Sequence, residues 1–332
     1  MNYDGYKGHG PASWQSVLTR VGVMRRRIAL RASCLAVAWA PLVLGTAVAQ
    51  EPPREAAVMT EKLAADLYVL RGAGGGQVAG NVLVSTGDQG ALIVDTGYPV
   101  FVAKYREVIA ALGGGAITYA INTHWHDDHS EGNKALGSDR VLLIAHANSR
   151  EMLTRHNKIN VVRTILDQPA FPATALPTIT FDGGIEIYVN GERIELVHVA
   201  PAHTAGDVVV ILRGHNVAHT GDVFLSAAYP FSDVDNGGDF EGEIAFVSRL
   251  LTELDRDTVI VPGHGRVATY VELVAYVEML NIVRQRIAAL IADGATLEQV
   301  VAAEPTKEWD AKYGNPRTYF LDRAYKSLQQ QR

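Results

Sequence analysis

Short apolar runs alternate with longer stretches of helical periodicity along most of this chain. Leu67-Tyr68-Val69-Leu70-Arg71 and residues 81–86 predict two strands, joined by the glycine-rich tip at 72–77. That tip lacks the lysine and the helix of a phosphate-binding loop, which argues against nucleotide binding there. Residues 91–94 are continuously apolar, as in a strand buried on both faces, and lead into Asp95-Thr96-Gly97. Val102, Tyr105, Val108, Ile109 and Leu112 share one face of a predicted helix, stopped by Gly113-Gly114-Gly115. A strand at 116–121, a short helix at 133–136, a buried strand at 141–145 and a helix over 148–166 are expected next. Pro169, Pro172 and Pro177 mark an irregular crossing. Asn190-Gly191 between two alternating runs, 185–189 and 194–199, predicts a tight hairpin. Strands at 208–212, 216–220 and 258–261 and helices at 241–254, 270–292 and 316–330 complete the pattern. Such alternation predicts a layered α/β domain over residues 57–332.

The N-terminal part follows another pattern. Arg25-Arg26-Arg27 after Met24, an apolar stretch to Val48, and Ala47-Val48-Ala49 predict a signal peptide over 24–49. Residues 1–23 fit neither signal nor domain and read as an extension before a start at Met24. Arg31 and Pro41 break the apolar run, against stable membrane insertion. The processed protein is therefore expected in the periplasm or outside the cell, with residues 50–57 as a polar linker. The sole cysteine, Cys34, lies in the signal, so neither a disulfide nor a thiolate ligand is expected in the domain.

Net charge is −6, yet residues 1–49 hold six basic side chains and one acid, so the domain is more acidic than the whole chain. An acidic body repels phosphate backbones, which argues against nucleic acid and for a small-molecule substrate.

Packing gives no reason for residues 123–129. Thr123-His124-Trp125-His126-Asp127-Asp128-His129 gathers three histidines and two aspartates directly after a predicted strand. His124 and His126 are two apart, so an extended chain turns them to one side, and Asp128 and His129 can face a second point. Imidazole and carboxylate are donors that zinc accepts. His203, Asp222 and His264 each follow an apolar strand or its turn, with a glycine nearby. Asp95, at the end of a buried strand, either caps its loop or braces a metal ligand from behind.

The set Asp95, His124-x-His126-x-Asp128-His129, His203, Asp222 and His264, in this order, resembles the metallo-β-lactamase superfamily. The resemblance spans residues 67–265. It implies a four-layer αββα sandwich with a cleft for two Zn2+ per chain, iron or manganese being open to the same donors. By that analogy His124, His126 and His203 hold one ion, Asp128, His129 and His264 hold the other, Asp222 bridges, and Asp95 supports. Asp128 would also orient a metal-bound hydroxide that cleaves an amide, ester or lactone, with a β-lactam among the candidates.

The departures bear on substrate. Two lactamase subclasses have cysteine where Asp222 stands, and a third generally lacks a bridging aspartate. No lysine follows directly after Asp222, where Val223-Phe224-Leu225-Ser226 is found. A thioesterase of the glyoxalase II type is an alternative, as Asp222 suits it, although no basic cluster for glutathione is obvious. An iron-dependent oxidoreductase and a non-catalytic binding protein on the same fold are further alternatives.

His146, His156, His198, His215 and His219 have no motif support and read as surface or packed imidazoles. His219 alone, three residues before Asp222, is a candidate supporting group. Trp125 is expected to pack. Tyr229, Phe231 and the loop 233–238 are candidates to line the cleft.

Overall fold

Burial on both faces explains why central strands such as residues 91–94 are continuously apolar. In a computed structural model of the chain, which describes residues 56–74 and 76–330, both faces of the central strands are covered. The expected extension, the signal peptide with Cys34, and all but the last two residues of the linker lie outside the described residues. The described residues belong to one compact unit, Glu51–Arg332.

The chain opens with β1 (Ala57–Lys62), β2 (Leu67–Gly74), β3 (Gln77–Val78), β4 (Val82–Ser85) and β5 (Ala91–Val94). Helix α1 (Pro99–Ala111), β6 (Ile117–Ile121), the short α2 (Asp127–Ser130) and α3 (Asn133–Leu136), then β7 (Leu142–His146) and α4 (Ala147–Leu153) follow. A separate hairpin, β8 (Asn157–Asn160) and β9 (Ile165–Gln168), precedes β10 (Ile179–Phe181), which returns beside β7. The first sheet runs β1-β2-β4-β5-β6-β7-β10, with β3 paired to β2. The second contains β11 (Gly184–Val189), β12 (Glu192–Val197), β13 (Val209–Leu212), β14 (Val217–His219), β15 (Val259–Val261) and β16 (Ala268–Thr269), in that order. Helix α5 (Phe240–Leu251) lies between β14 and β15, and α6 (Tyr270–Ala292), α7 (Leu297–Ala302), α8 (Asp310–Tyr313) and α9 (Phe320–Gln330) close the chain.

Alternate residues feed different layers. Leu83, Leu92 and Val94 meet Val210, Leu212 and Val261 between the sheets. Their neighbours Val82, Val84 and Ile93 pack against Phe101, Tyr105 and Ile109 of α1. On the far side Val209, Ile211 and Ile260 pack against α5, α6 and α9 through Phe240, Phe246, Tyr276 and Leu328. These are the four αββα layers expected. Each fully buried aliphatic side chain contributes about 1.5–3 kcal/mol.

Two expectations need correction. Residues 148–166 are not one helix: α4 ends at Leu153, and Asn157 Nδ2 donates to the carbonyls of Met152 (2.8 Å) and Arg155 (3.1 Å). These bonds use up carbonyls at the helix end, and β-branched Ile159, Val161, Val162, Thr164 and Ile165 favour the hairpin that follows. The last helix starts at Phe320 rather than at Pro316. Strand β1 and helix α7 were not expected. The turn at Asn190-Gly191 is as predicted, with positive φ at both residues (54° and 76°).

Topology sets the site. Parallel pairing of β5 with β6, and of β14 with β15, puts the C-terminal ends of each pair side by side. The loops leaving those ends carry Asp95, His124 to His129, Asp222 and His264. The Val208 N–H donates to the Thr123 carbonyl (2.7 Å), and the Asn81 N–H donates to the Gly263 carbonyl (2.7 Å), which ties the two sheets together around the cluster.

Candidate metal centre

Each loop fixes its side chains through buried hydrogen bonds. Asp95 is fully buried and has φ of 65°, a left-handed conformation that aspartate tolerates better than most residues. Its Oδ1 accepts from the Thr123 N–H (2.7 Å), and its Oδ2 accepts from Thr123 Oγ1 (2.8 Å) and His129 Nδ1 (2.7 Å). Asp95 thus does both jobs left open by the sequence: it caps the loop and fixes an imidazole.

The partners determine the tautomers. His129 gives its Nδ1 proton to Asp95, which turns Nε2 inward. His203 gives its Nδ1 proton to the Phe231 carbonyl. His126 gives its Nε2 proton to Asp233 Oδ2 (3.1 Å). Thr123 Oγ1 donates to Asp95, so it accepts from His124 Nδ1 (3.1 Å). Each outer nitrogen faces an acceptor, so the inner nitrogen of each ring is the one that can ligate.

Those inner nitrogens converge. His124 Nε2 is buried with no hydrogen-bond partner, and His126 Nδ1 lies 2.8 Å from His203 Nε2. His129 Nε2 lies 3.2 Å from His264 Nε2, 3.1 Å from Asp222 Oδ1 and 3.5 Å from Asp128 Oδ2. His264 Nε2 is 2.9 Å from Asp128 Oδ2 and 3.6 Å from Asp222 Oδ2. Three triads each keep their donor atoms within 4.8 Å of one another: His124, His126 and His203; His124, His129 and Asp222; Asp128, His129 and His264. All seven expected residues are therefore brought together. Facing lone pairs and carboxylates repel unless a cation lies among them, so the donor set fits metal ions.

Electrostatics agree. Burial and the neighbouring imidazoles hold His124 well below the usual histidine range, and burial beside His126 pushes His203 down to about 4. Burial acts to lower His129 too, but Asp128, Asp222 and Asp95 hold it well above that range. Burial acts to raise both site carboxylates; against it, His129 and His264 bring Asp128 down to about 2, and His264 and His129 hold Asp222 well below the usual range. At His124 and His203 the site thus offers bare nitrogens beside anionic oxygens, while the surrounding carboxylates draw a proton onto His129 that a bound cation would displace.

Close approach needs glycine. A Cβ at Gly263 would collide with Asp222 Oδ1, and one at Gly80 would collide with the His129 ring.

Residues 75–264 match the family model of the metallo-beta-lactamase superfamily. The chain belongs to the metallo-beta-lactamase superfamily. Among proteins similar to it is the hydroxyacylglutathione hydrolase GloC of Haemophilus influenzae, 33% identical over 81 residues, covering 24% of this chain and 37% of that protein. A hydroxyacylglutathione hydrolase of a Polaromonas species is 26% identical over 162 residues, 47% of this chain and 51% of that one. The chain thus spans about a third to a half of the length of these relatives. A metallo-beta-lactamase from Pontibacter korlensis shares the fold, with a TM-score of 0.56 at 20% identity, covering 68% of this chain and 99% of that structure. The DIM-1 metallo-beta-lactamase does so with a TM-score of 0.54 at 20% identity, covering 68% and 99%. The His/Asp cluster of this superfamily member is able to bind metal.

A cleft of about 560 Å3 opens over the cluster. Phe231 lines it, but Tyr229 does not: that ring is buried and stacks on Phe320 at 4.9 Å. Tyr319, in the turn just before α9, reaches the cleft and donates its OH to the Tyr229 carbonyl (3.0 Å). Trp125 is fully buried and packs with Met152, Leu153 and Phe171.

The other histidines lie outside the ligand groups. His219 is buried behind them. Its Nε2 donates to the Asn81 carbonyl (2.9 Å), and Asn81 Nδ2 donates to the carbonyls of Pro262 (2.8 Å) and Gly265 (3.0 Å), on either side of His264. His146 and His198 stack on each other at 4.0 Å, His156 pairs with Asp167, and His215 lies between Asp66 and Glu192.

Two supporting groups were missed by sequence reasoning. Asp233 is fully buried against His126, and Asn81 holds the His264 loop. Asp233 falls in a segment flagged only as cleft lining, and Asn81 was read only as a strand residue. Both act on partners more than a hundred residues away, so no local spacing marks them.

Proposed function

We propose that this protein is an exported dizinc hydrolase that cleaves an amide, ester or lactone bond in a small molecule. The observation that carries this reading is the buried His124 Nε2, with no hydrogen-bond partner among protein groups and surrounded by four other candidate ligands in two triads. His124, His126 and His203 would hold one ion, and Asp128, His129 and His264 the other. Asp222 borders both groups: its Oδ2 lies 3.8 Å from His203 Nε2 and 3.6 Å from His264 Nε2.

When bound, two zinc ions supply water activation near neutral pH and positive charge for an oxygen gaining negative charge. The chain's own groups do the remaining work. Asp95, Asp233 and the Phe231 carbonyl fix three imidazoles in the ligating tautomer, which pre-sets the site before substrate arrives. Asp128 borders the cleft and is held ionised, so it can accept a hydrogen bond from an attacking water and orient it. Apolar walls of Leu225, Phe231 and Tyr319 exclude bulk water around the scissile bond.

A thioesterase reading has support in the Asp222 carboxylate and in the hydroxyacylglutathione hydrolases to which the chain is similar. Export rests on the signal pattern at residues 24–49. The test is turnover of a panel of esters, lactones, β-lactams and hydroxyacylglutathione by the processed protein, with metal content measured in parallel. Hydrolysis of oxygen esters, lactones or lactams, lost on chelation and regained with zinc, supports the proposal. Turnover confined to the thioester would move the assignment to the second reading. Iron content with no hydrolysis would overturn both.

A further inference from the structure

The cleft walls are largely carbon: Ile159, Val161, Leu166, Leu225, Phe231 and Tyr319 all line them. Among the described residues in that lining, Arg163 is the one lysine or arginine. Its side chain is exposed, and it makes no ion pair or hydrogen bond with any described residue.

Arg163 stands at the tip of the β8–β9 hairpin, and the tip is held in shape. Val162 has φ of 69°, a left-handed conformation unusual for a β-branched residue. Its N–H donates to Asn160 Oδ1 (3.0 Å), and the Arg163 N–H donates to the Val161 carbonyl (2.8 Å). The arms are tied down as well. Asn160 Nδ2 donates to Asp235 Oδ2 (3.1 Å), and Gln168 Nε2 donates to the Trp125 carbonyl (2.8 Å), between His124 and His126.

Nearby acids are already engaged. Asp167 pairs with His156, and Asp235 pairs with Arg323 and Lys326. Asp127, also in the cleft wall, accepts from the Tyr98 OH (3.3 Å) and the Asp128 N–H (3.0 Å). An ordered arm therefore presents an unpaired guanidinium to an apolar cleft, in a chain where acids outnumber bases 36 to 30.

The geometry points to a carboxylate subsite at Arg163, and hence to an amphiphilic substrate: an apolar body whose far end carries a carboxylate, remote from the bond cleaved. The planar guanidinium matches a carboxylate in two-point hydrogen bonding. This inference rests on the hydrolase reading above for the bond that is cut, but the anion site itself can be tested without turnover.

The full, zinc-loaded protein is assayed on two esters of matched length, the 4-nitrophenyl monoester of glutaric acid and 4-nitrophenyl valerate. The ratio of their kcat/KM values is expected to fall roughly tenfold in Arg163→Ala, through KM of the charged ester. It falls further in Arg163→Glu and recovers in part in Arg163→Lys. Calorimetric binding of hexanoate, with hexanamide as the neutral control, gives a readout independent of hydrolysis. Weaker hexanoate binding in Arg163→Ala, with hexanamide unaffected, is expected. An unchanged ester ratio, or equal hexanoate binding in wild type and Arg163→Ala, overturns the inference. If wild type cleaves neither ester, the ester-hydrolase reading is what fails, and the hexanoate comparison alone decides for or against the subsite.

Discussion

Replacing Asp95 by asparagine changes almost no volume and suits the backbone, since asparagine also tolerates a φ of 65°. The chemistry does not survive. Both carboxylate oxygens act as acceptors, Oδ1 for the Thr123 N–H and Oδ2 for Thr123 Oγ1 and His129 Nδ1. An asparagine offers one oxygen and one NH2. If the oxygen keeps the Thr123 N–H, the NH2 meets His129 and forces its proton onto Nε2, the nitrogen aimed at Asp128, Asp222 and His264. Such a ring cannot ligate there. Losing a supporting carboxylate of this kind costs about 10–100-fold in metal affinity. Losing a buried charged acceptor costs about 1–3 kcal/mol of stability. The assay is competition for zinc against a chromophoric chelator, with thermal unfolding followed by circular dichroism. We expect the site containing His129 to weaken by at least tenfold, while the site of His124, His126 and His203 changes less. Unaltered affinity at both sites, in a folded variant, would refute the tautomer reasoning.

Other expected outcomes follow from the same geometry. Asp128→Ala should abolish turnover and reduce bound metal while circular dichroism stays native; normal turnover would count against a role for Asp128. His219→Ala removes the bond to the Asn81 carbonyl but no candidate ligand, so it should cost about 1–3 kcal/mol in denaturant unfolding and leave metal stoichiometry intact. His215 is lowered by burial but raised more strongly by Asp66 and Glu192, so its folded value lies above the usual one. Its contribution, about 1 kcal/mol, is full below pH 6.5 and fades as pH rises through the folded value. His215→Ala should therefore destabilise more at pH 6 than at pH 9, and equal losses would refute the assignment. Leu92→Ala, between the sheets, should cost about 2–5 kcal/mol in the same experiment.

The fold was legible where local pattern and tertiary environment agree. Continuous runs such as Ala91–Val94 read as strands because both faces are buried, and Asn190-Gly191 read as a turn because both residues take positive φ. The seven candidate ligands were legible because histidine and aspartate at strand ends have no packing purpose. Residues 148–166 do not form one helix because Asn157 and the β-branched run at 159–165 carry the opposing signal in their second half. The capping pair Thr296 and Gln299 marked the start of α7 and was passed over. Asp233 was beyond reach, since only the folded chain brings it to His126, 107 residues away. The same holds for Arg163, whose place in the cleft depends on a hairpin that had been read as a helix.

Metal content of the processed, extensively dialysed protein tests the central claim most directly. The expected result is about two equivalents of zinc per chain, falling to about one in His264→Ala. Protein that folds with the same circular dichroism and Tm after complete chelation, and then takes up less than one equivalent of any divalent ion, would contradict it.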